Sequence, residues 1–217
     1  MSDIFHEVDE EVRREQFKKL WDKYGIFVIA LAVLIVAGVG GYRAYDWYQM
    51  KQAAQAGTAF EAAAQLSAEG KHAEAEAAFA KVATEGTPAY KVLARMREAN
   101  EAASRDPKAA IAIYDKLAAD GSLGPTFQDL AALRAGYLLV DTEPFAEVQK
   151  RLEPLTAADR PFRHSARMLL ALAAWKANDT AALKKWSDMV MADAESPAGT
   201  RGQIEMLNAL TASGGKS

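Results

Sequence analysis

Hydrophobic positions divide the chain into one long apolar run and a series of shorter amphipathic segments. The run, residues 25–42, carries no charge, and no charged residue lies between Lys23 and Arg43. As a helix it would extend roughly 28 Å, which is close to the thickness of the hydrocarbon core of a bilayer. The core helices of soluble proteins rarely contain so long a run without a polar side. The pattern therefore predicts a transmembrane signal-anchor helix with an interfacial end over residues 25–48.

Aromatic and basic residues flank this run in the manner of a membrane anchor. The aromatic residues are Trp21 and Tyr24 before it and Tyr42, Tyr45, Trp47 and Tyr48 after it. Such rings settle at the two headgroup layers. The basic residues are Arg13, Arg14, Lys18, Lys19 and Lys23 before it, with only Arg43 and Lys51 soon after it. Because basic flanks stay in the cytoplasm, this asymmetry predicts a cytoplasmic N-terminus and a C-terminal domain beyond the membrane.

A cleaved signal peptide is the competing interpretation, with a weak cleavage site at Val39-Gly40-Gly41. Signal peptides have a short leading segment and an apolar core of about 7–15 residues. The leading segment here is longer and mixed in charge, which favours a retained anchor. Residues 1–24 are then a cytoplasmic lead. This lead is either a weakly amphipathic helix on the membrane surface or a charged segment that only orients the anchor.

The rest of the chain is rich in alanine, helical in pattern and interrupted regularly by glycine and proline. No alternating β-branched runs argue for strands. The helices are expected at about 51–69, 72–85, 89–105, 107–120, 125–140, 144–156, 162–177, 181–194 and 198–211. The predicted fold is all-α, with the single N-terminal transmembrane helix followed by a solenoid of helical hairpins over residues 49–212. Residues 213–217 are expected to form a flexible tail.

A pair consisting of alanine and an aromatic residue one turn later recurs along these helices. The pairs are Ala75 with Phe79, Ala110 with Tyr114, and Ala182 with Trp186. The second follows the first by about 35 residues and the third comes after about twice that interval, close to the tetratricopeptide period. We therefore expect a degenerate, tetratricopeptide-like domain. A generic helical solenoid and an α-helical bundle are the alternatives.

Small residues also recur at four-residue spacing near the end of the apolar run. They are Ala37, Gly40, Gly41 and Ala44. Such positions allow a second transmembrane helix to approach closely. We name these four as candidate contacts for a helix partner in the membrane, although small residues are also common in membrane helices that have no such partner.

Composition excludes several kinds of site. The 217 residues include no cysteine, so disulfides, thiolate metal sites and a lipidated cysteine anchor are absent. A net charge of −3 gives no basic face for nucleic acid. His6, His72 and His164 lack a partner at metal-ligand spacing. No catalytic constellation emerges, so we predict a protein that is not an enzyme and has no cofactor, metal or small-molecule substrate.

In the absence of a catalytic constellation, we expect the surface of the repeat domain to carry the function. Stacked helical hairpins present extended faces that bind peptides and proteins. Basic and aromatic residues of three expected helices are the candidate partner contacts. They are Tyr90, Arg95, Arg97, Arg134, Tyr137, Arg163 and Arg167. For each of them the alternative is an ordinary solvated side chain.

The order of these segments resembles the family of ancillary subunits of the SecYEG translocon. The closest local similarity is the glycine-rich exit from the anchor, residues 40–48, with Arg43 and Trp47. The resemblance implies an inner-membrane protein with a periplasmic domain that associates with SecYEG and with a membrane-anchored periplasmic chaperone of prolyl-isomerase type. The implied function is a link between secretion and periplasmic folding. A scaffold of another envelope or cell-division assembly is the alternative.

Overall fold

The computed structural model describes the backbone of residues 3–214 and the side chains of residues 13–213 except Gln16. All regular structure in these residues is helical, which confirms the all-α prediction. The α-helices are α1 Asp3–Ala68, α2 His72–Glu85, α3 Pro88–Ala102, α4 Pro107–Ala119, α5 Pro125–Thr142, α6 Phe145–Leu152, α7 Arg163–Lys176, α8 Thr180–Ala192 and α9 Ala198–Gly214. Two short 3₁₀ turns, Gly121–Leu123 and Glu153–Thr156, complete the regular elements of the described residues.

The chain divides into two compact units, Met1–Ala54 and Gln55–Ser217. From residue 3 to residue 54 the first unit is part of α1, and the stretch Arg13–Ala68 of this helix is long and apolar enough to cross a membrane. Every large apolar side chain from Ile26 to Val39 is between 52% and 73% exposed. No other helix of the described residues meets the same test of length and composition.

A separate helix was expected to begin at about residue 51. This start is wrong, because α1 continues without a break to Ala68. The physical reason is that residues 47–56 contain neither glycine nor proline and are rich in alanine and glutamine, which are good helix formers. The amphipathic pattern expected around Ile4, Val8 and Val12 falls on side chains outside those that the structure describes.

In the second unit each helix from α2 onward packs on the next one along the chain. Helix α7 packs in addition on α5 and on α9, its neighbours but one. Contacts of a helix with both its first and its second neighbour are the arrangement that stacked helical hairpins produce. The structure therefore supports the predicted hairpin repeats.

The breaks between helices follow the expected local chemistry. Asp106 and Asp179 precede α4 and α8, and their carboxylates accept hydrogen bonds from the backbone N–H of Ala109 and Ala182 at 3.0 and 2.9 Å. These contacts satisfy donors that the first turn of a helix leaves unpaired. Gly70, which follows α1, has a φ of +76°, a conformation that side chains rarely adopt.

The repeated alanine and aromatic pairs lie in the core. Phe79, Tyr114 and Trp186 are all buried, and so are Ala75 and Ala110, whereas Ala182 is partly buried. The ring of Phe60 on α1 meets Phe79 edge to face, with the ring centres 5.2 Å apart. The burial of the three rings and of Ala75 and Ala110 agrees with the predicted packing.

The third hairpin departs from the expected pattern. Its second helix was predicted at 144–156, but α6 ends at Leu152 and the chain continues as the 3₁₀ turn Glu153–Thr156. Pro154 lies at the start of this turn and has no N–H to donate to the preceding turn of an α-helix. At the C-terminus α9 extends to Gly214, so that the expected tail is helical at its first two residues, and residues 215–217 lie outside the described part.

Candidate protein-interaction surface

Ion pairs connect successive hairpins of the second unit. The pairs below join residues 29 to 36 positions apart, which is close to one repeat. They are Glu76–Arg105, Asp115–Arg151, Asp129–Arg160, Asp141–Lys176, Glu153–Lys185 and Glu195–Arg163. Most of these pairs join neighbouring hairpins, whereas Glu195–Arg163 joins the start of α7 to the segment after α8, so these charges are used within the repeat unit.

The most buried of these networks centres on Asp193, which follows α8. Its Oδ2 accepts a hydrogen bond from Nη1 of Arg167 at 2.8 Å and one from Nε of Arg163 at 3.1 Å. The hydrogen bond from Arg163 is the main cause of a lowered Asp193 pKa, and despite the opposing effect of burial the pKa falls from 3.8 to about 2. Arg167 also donates to the carbonyl oxygen of Thr156 from Nε and Nη2, at 3.1 and 2.8 Å.

Two of the predicted partner contacts, Arg163 and Arg167, are therefore engaged within the chain. Arg167 is only 7% exposed, and it joins the second 3₁₀ turn, α7 and the end of α8. Arg163 is mostly buried and binds both Asp193 and Glu195. The structure thus gives both residues a role in holding hairpins together.

Tyr90 has a similar position between the first and the second hairpin. It is partly buried on α3, and its ring centre lies 5.8 Å from that of Phe60 on α1. A β-carbon added at Gly57 would lie 2.9 Å from the hydroxyl oxygen of Tyr90, so the two helices approach closely at this point. Tyr90 consequently packs α1 against α3.

The remaining predicted contacts lie at the surface. Arg95, Arg134 and Tyr137 are exposed, while Arg97 is partly buried with its guanidinium 5.5 Å from the centre of the Phe79 ring. Among the side chains of residues 13–213, Arg95, Arg97 and Arg134 have no carboxylate at ion-pairing distance, in contrast to the arginines of the ion pairs above. These four residues are the part of the predicted set that is available to a partner.

The small residues of the anchor are open as well. Ala37 and Ala44 are exposed, and a β-carbon at Gly40 or Gly41 would meet no atom within 4 Å. The helix therefore offers a surface of low relief at these positions, and their role as contacts for a second helix stays a prediction.

A buried carboxylate that the sequence analysis did not single out joins α1, α2 and α3. Glu101 accepts a hydrogen bond from the hydroxyl of Ser67 and contacts Nδ1 of His72, each at 2.7 Å. Burial acts to raise the Glu101 pKa, but the hydrogen bonds from His72 and Ser67 outweigh it and lower the pKa overall. The available signal in the sequence was the position of Glu101 seven residues after Ala94, which places both residues on the same face of the helix.

His164, Ser196 and Asp193 share the composition of a catalytic triad without its geometry. Both the Ser196 hydroxyl, at 3.1 Å, and a carboxylate oxygen of Asp193, at 3.7 Å, approach the same ring nitrogen, Nδ1. A triad requires the nucleophile and the carboxylate at opposite nitrogens of the imidazole. Ser196 is also buried, so this cluster does not present a nucleophile to a substrate.

The same region brings together potential metal ligands. Ligand atoms of His164, Asp193 and Glu195 lie within 4.8 Å of one another. Both carboxylates, however, are paired with Arg163, and Asp193 is paired with Arg167 as well. Burial, followed by the charge of Arg163, lowers the His164 pKa. The positive charges that a cation would supply are already provided by arginine, and the arrangement is that of an ion-pair network.

A groove of about 600 Å³ lies where α7, α8 and α9 meet. Its lining includes Trp175, Leu183 and Leu210 together with the polar residues of the turn before α8. Leu210 is exposed on α9. The groove lies in the C-terminal part of the repeat unit.

Comparison with known proteins bears on this architecture. A family model described as a tetratricopeptide repeat-like domain matches residues 18–168. No curated protein and no solved structure matches the chain. The matched residues include the apolar run, the first three hairpins and the start of α7. Because the match covers well over half of the 217 residues, the chain belongs to the tetratricopeptide repeat-like family.

Proposed function

We propose that this protein is a non-enzymatic interaction module, held in a membrane by α1, that binds other proteins through its repeat domain. The observation that carries the proposal is the combination of an exposed, charge-free helical segment with a tetratricopeptide-like domain on one chain. Repeats of this kind use extended surfaces to bind proteins, and no site geometry in the described residues indicates catalysis.

The exposed apolar segment supports insertion into lipid. In water, exposure of every large side chain from Ile26 to Val39 would create an apolar patch far larger than a soluble protein tolerates. A single helix in a bilayer buries these side chains in hydrocarbon and satisfies every backbone hydrogen bond internally. The basic residues before the segment favour a cytoplasmic N-terminus and a periplasmic repeat domain.

For the partner, we propose SecYEG together with a membrane-anchored periplasmic chaperone, so that the protein links secretion to folding beyond the membrane. The support is the order of segments and the glycine- and aromatic-rich exit over residues 40–48, which resemble the ancillary translocon subunits. A scaffold of another envelope or cell-division assembly is the second candidate, since such a scaffold would also need a membrane anchor and a repeat domain.

Topology is tested first. Trypsin added to bacterial spheroplasts should digest the repeat domain while leaving the anchor with the membrane. Carbonate washing should leave the intact chain in the membrane pellet. Release by carbonate, or protection of the repeat domain while a periplasmic control protein is digested, would overturn the membrane proposal.

Partner identity is tested by affinity capture of the full chain from membranes solubilised in mild detergent. Recovery of translocon subunits supports the proposed link to secretion, and their absence counts against it. A fluorescent fusion separates the two candidates. An even distribution around the membrane is expected for a translocon partner, whereas a band at the division site would favour the scaffold.

A further inference from the structure

Helix α9 ends the described part of the repeat unit and is apolar on two opposite faces. Its inner face, with the buried Ile204 and Leu207, lies on the side where α9 packs on α7 and α8. Each helix from α2 to α8 is followed by one that packs on it, but no later helix of the described residues covers α9. Met206 and Leu210 are therefore 58% and 47% exposed. A helix at the surface normally carries polar side chains on this side.

The outer face of α9 has small residues in its first half and large ones in its second half. Positions three or four residues apart share one helix face. On α9 they are Gly199, Gly202, Met206, Ala209, Leu210 and Ser213. A β-carbon added at Gly199 or Gly202 would meet no atom within 4 Å, so both glycines leave open space beside the helix.

This outer face carries no charge. The two charged residues of α9, Arg201 and Glu205, are one turn apart and lie together to one side of it. Arg201 is partly buried and donates to the backbone carbonyls of Asp193 and Ala194. Two copies of the outer face can therefore meet without like charges at the centre of the contact, and the centres of protein interfaces are depleted in charge.

The order of small and large residues makes the outer face complementary to itself. In a twofold pair of antiparallel helices, the first half of one helix lies against the second half of the other. When Met206 of each copy lies over Gly202 of the other, Leu210 lies within one residue of Gly199 on the facing helix. Both protruding side chains then find the open space beside a glycine.

The repeat unit already contains a contact of this kind between two of its own helices. Leu152 on α6 lies over Gly136 on α5, where even an added β-carbon would be only 2.4 Å from a δ-carbon of the leucine. A glycine beneath a large aliphatic side chain thus allows neighbouring helices of this fold to approach closely, and helices that meet through small residues lie at the short end of interaxial distances.

We propose that the outer face of α9 is a docking surface for the same face of a second copy of this chain. The 17 residues of α9 give a helix about 25 Å long. At a width of about 12 Å its face covers roughly 300 Å² per copy, less than the about 800 Å² per partner of a stable complex. The pair is therefore weak in dilute solution. The inference rests on the proposed membrane anchoring, which concentrates the copies in one membrane.

Disulfide crosslinking of the full chain in bacterial membranes tests the inference. The chain has no cysteine, so one introduced cysteine reports only contact at its own position. In the proposed pair two copies of residue 203 lie about 3 Å apart along the helix axis, whereas two copies of residue 213 lie roughly 27 Å apart. Under mild oxidation Gln203→Cys should therefore form a covalent dimer and Ser213→Cys, at another exposed position of α9, should not.

Substitutions added to Gln203→Cys test the packing itself. At a low level of expression, Met206→Gln should reduce the dimer fraction about tenfold, because the apolar contact is lost on both copies. Met191→Gln, at an exposed methionine of α8, is the matched control and should leave the fraction unchanged. Both variants should keep the thermal midpoint of the parent chain, since both side chains are exposed.

Gly202→Leu separates shape complementarity from general adhesion of apolar surfaces. A β-carbon at this position meets no atom of its own chain, but a leucine would fill the space that Met206 of the other copy needs. The dimer fraction should therefore fall. A larger fraction would show that any added apolar surface promotes contact, and it would overturn the inference.

The crosslinking pattern contains the other decisive outcomes. Equal crosslinking at positions 203 and 213, or none at 203, would overturn the inference. Crosslinking of Gln203→Cys to a different polypeptide would assign the outer face to another partner and would also overturn it. Carbonate washing of the same membranes separates this failure from that of the proposed function, because a chain that stays in the pellet but forms no dimer contradicts only the docking surface.

Discussion

The δ-carbons of Leu152 on α6 lie directly over Gly136 on α5. A β-carbon added at Gly136 would be 2.4 Å from Cδ2 of Leu152 and 3.0 Å from Cδ1. Leu152 is fully buried, so the side chain has no open space into which it could turn. This contact replaces, in the third hairpin, the alanine and aromatic pair of the others, with the small residue on the first helix and the large one on the second.

The first prediction concerns this contact. Gly136→Ala should destabilise the fold by about 1–2 kcal/mol, because overpacking of a filled core costs more than the roughly 1 kcal/mol that alanine gains over glycine within a helix. Denaturant unfolding in detergent micelles measures the change. Gly202→Ala on α9 is the matched control, since its β-carbon would meet no atom within 4 Å, and it should be neutral or stabilising.

A double-mutant cycle then tests the cause. In a chain that already carries Leu152→Ala, Gly136→Ala should cost less than it does in wild type, since the clashing δ-carbons are gone. Equal costs in both backgrounds would show that Gly136 is required for a reason other than the proximity of Leu152.

The second prediction concerns Arg167. Arg167→Ala should destabilise the protein by about 3 kcal/mol or more, because Asp193 and the Thr156 carbonyl would lose donors in a largely buried site. Arg151→Ala is a suitable control, since it removes an arginine whose ion pair with Asp115 is partly exposed and much less buried than Arg167, and it should cost no more than about 1 kcal/mol. A similar loss for both variants would contradict the central position that we assign to Arg167.

The third prediction is a dependence of stability on acid pH. The Asp193 pKa is about 2 in the folded protein, below the ordinary value of 3.8, so the folded state binds the proton less readily than the unfolded state does. The stabilisation from this carboxylate is complete above pH 3.8 and is lost as the pH falls from there towards about 2. Unfolding curves recorded across this interval should show stability falling with decreasing pH.

Replacement of the carboxylate isolates its contribution. Asp193→Asn should be less stable than wild type above pH 3.8, and its stability should fall less steeply across the same interval. Asp188→Asn, which removes an exposed carboxylate paired with Lys184, should leave the slope unchanged. If Asp193→Asn retained the full slope of wild type, other carboxylates would have to account for it.

Much of this fold could be predicted from the sequence, because glycine, proline and capping aspartates mark the helix ends locally. Asp106 before Pro107 and Asp179 before α8 are examples in which a side chain satisfies the first turn of the helix. Two features were not predicted: the continuation of α1 past residue 51, where the sequence has no local signal, and the contact of Leu152 with Gly136, which depends on a residue distant in sequence. Nothing marks an end between Trp47 and Ala56, and the partner of Leu152 lies on a different helix.

The candidate surface was predicted less completely, because the sequence does not show which charges are used within the fold. Arg163, Arg167 and Arg134 look alike in the sequence, but only Arg134 lacks an ion pair among the described side chains. The decisive residues are carboxylates about one repeat away, such as Glu195 for Arg163. Pairing at this distance becomes visible only when the hairpins are stacked.

The last prediction tests the membrane segment by a substitution near its centre. Leu34 is exposed near the middle of the charge-free run, and Leu34→Arg would place a cation at the depth where insertion costs about 2.5–3.5 kcal/mol. Carbonate extraction of bacterial membranes should therefore release a substantial fraction of the variant. Leu210→Arg, an equally drastic change at an exposed leucine of α9, should leave extraction unchanged. Retention of both variants in the membrane pellet would show that α1 is not held by burial of this segment in lipid, and the topology proposed from the basic residues before the run would lose its physical basis.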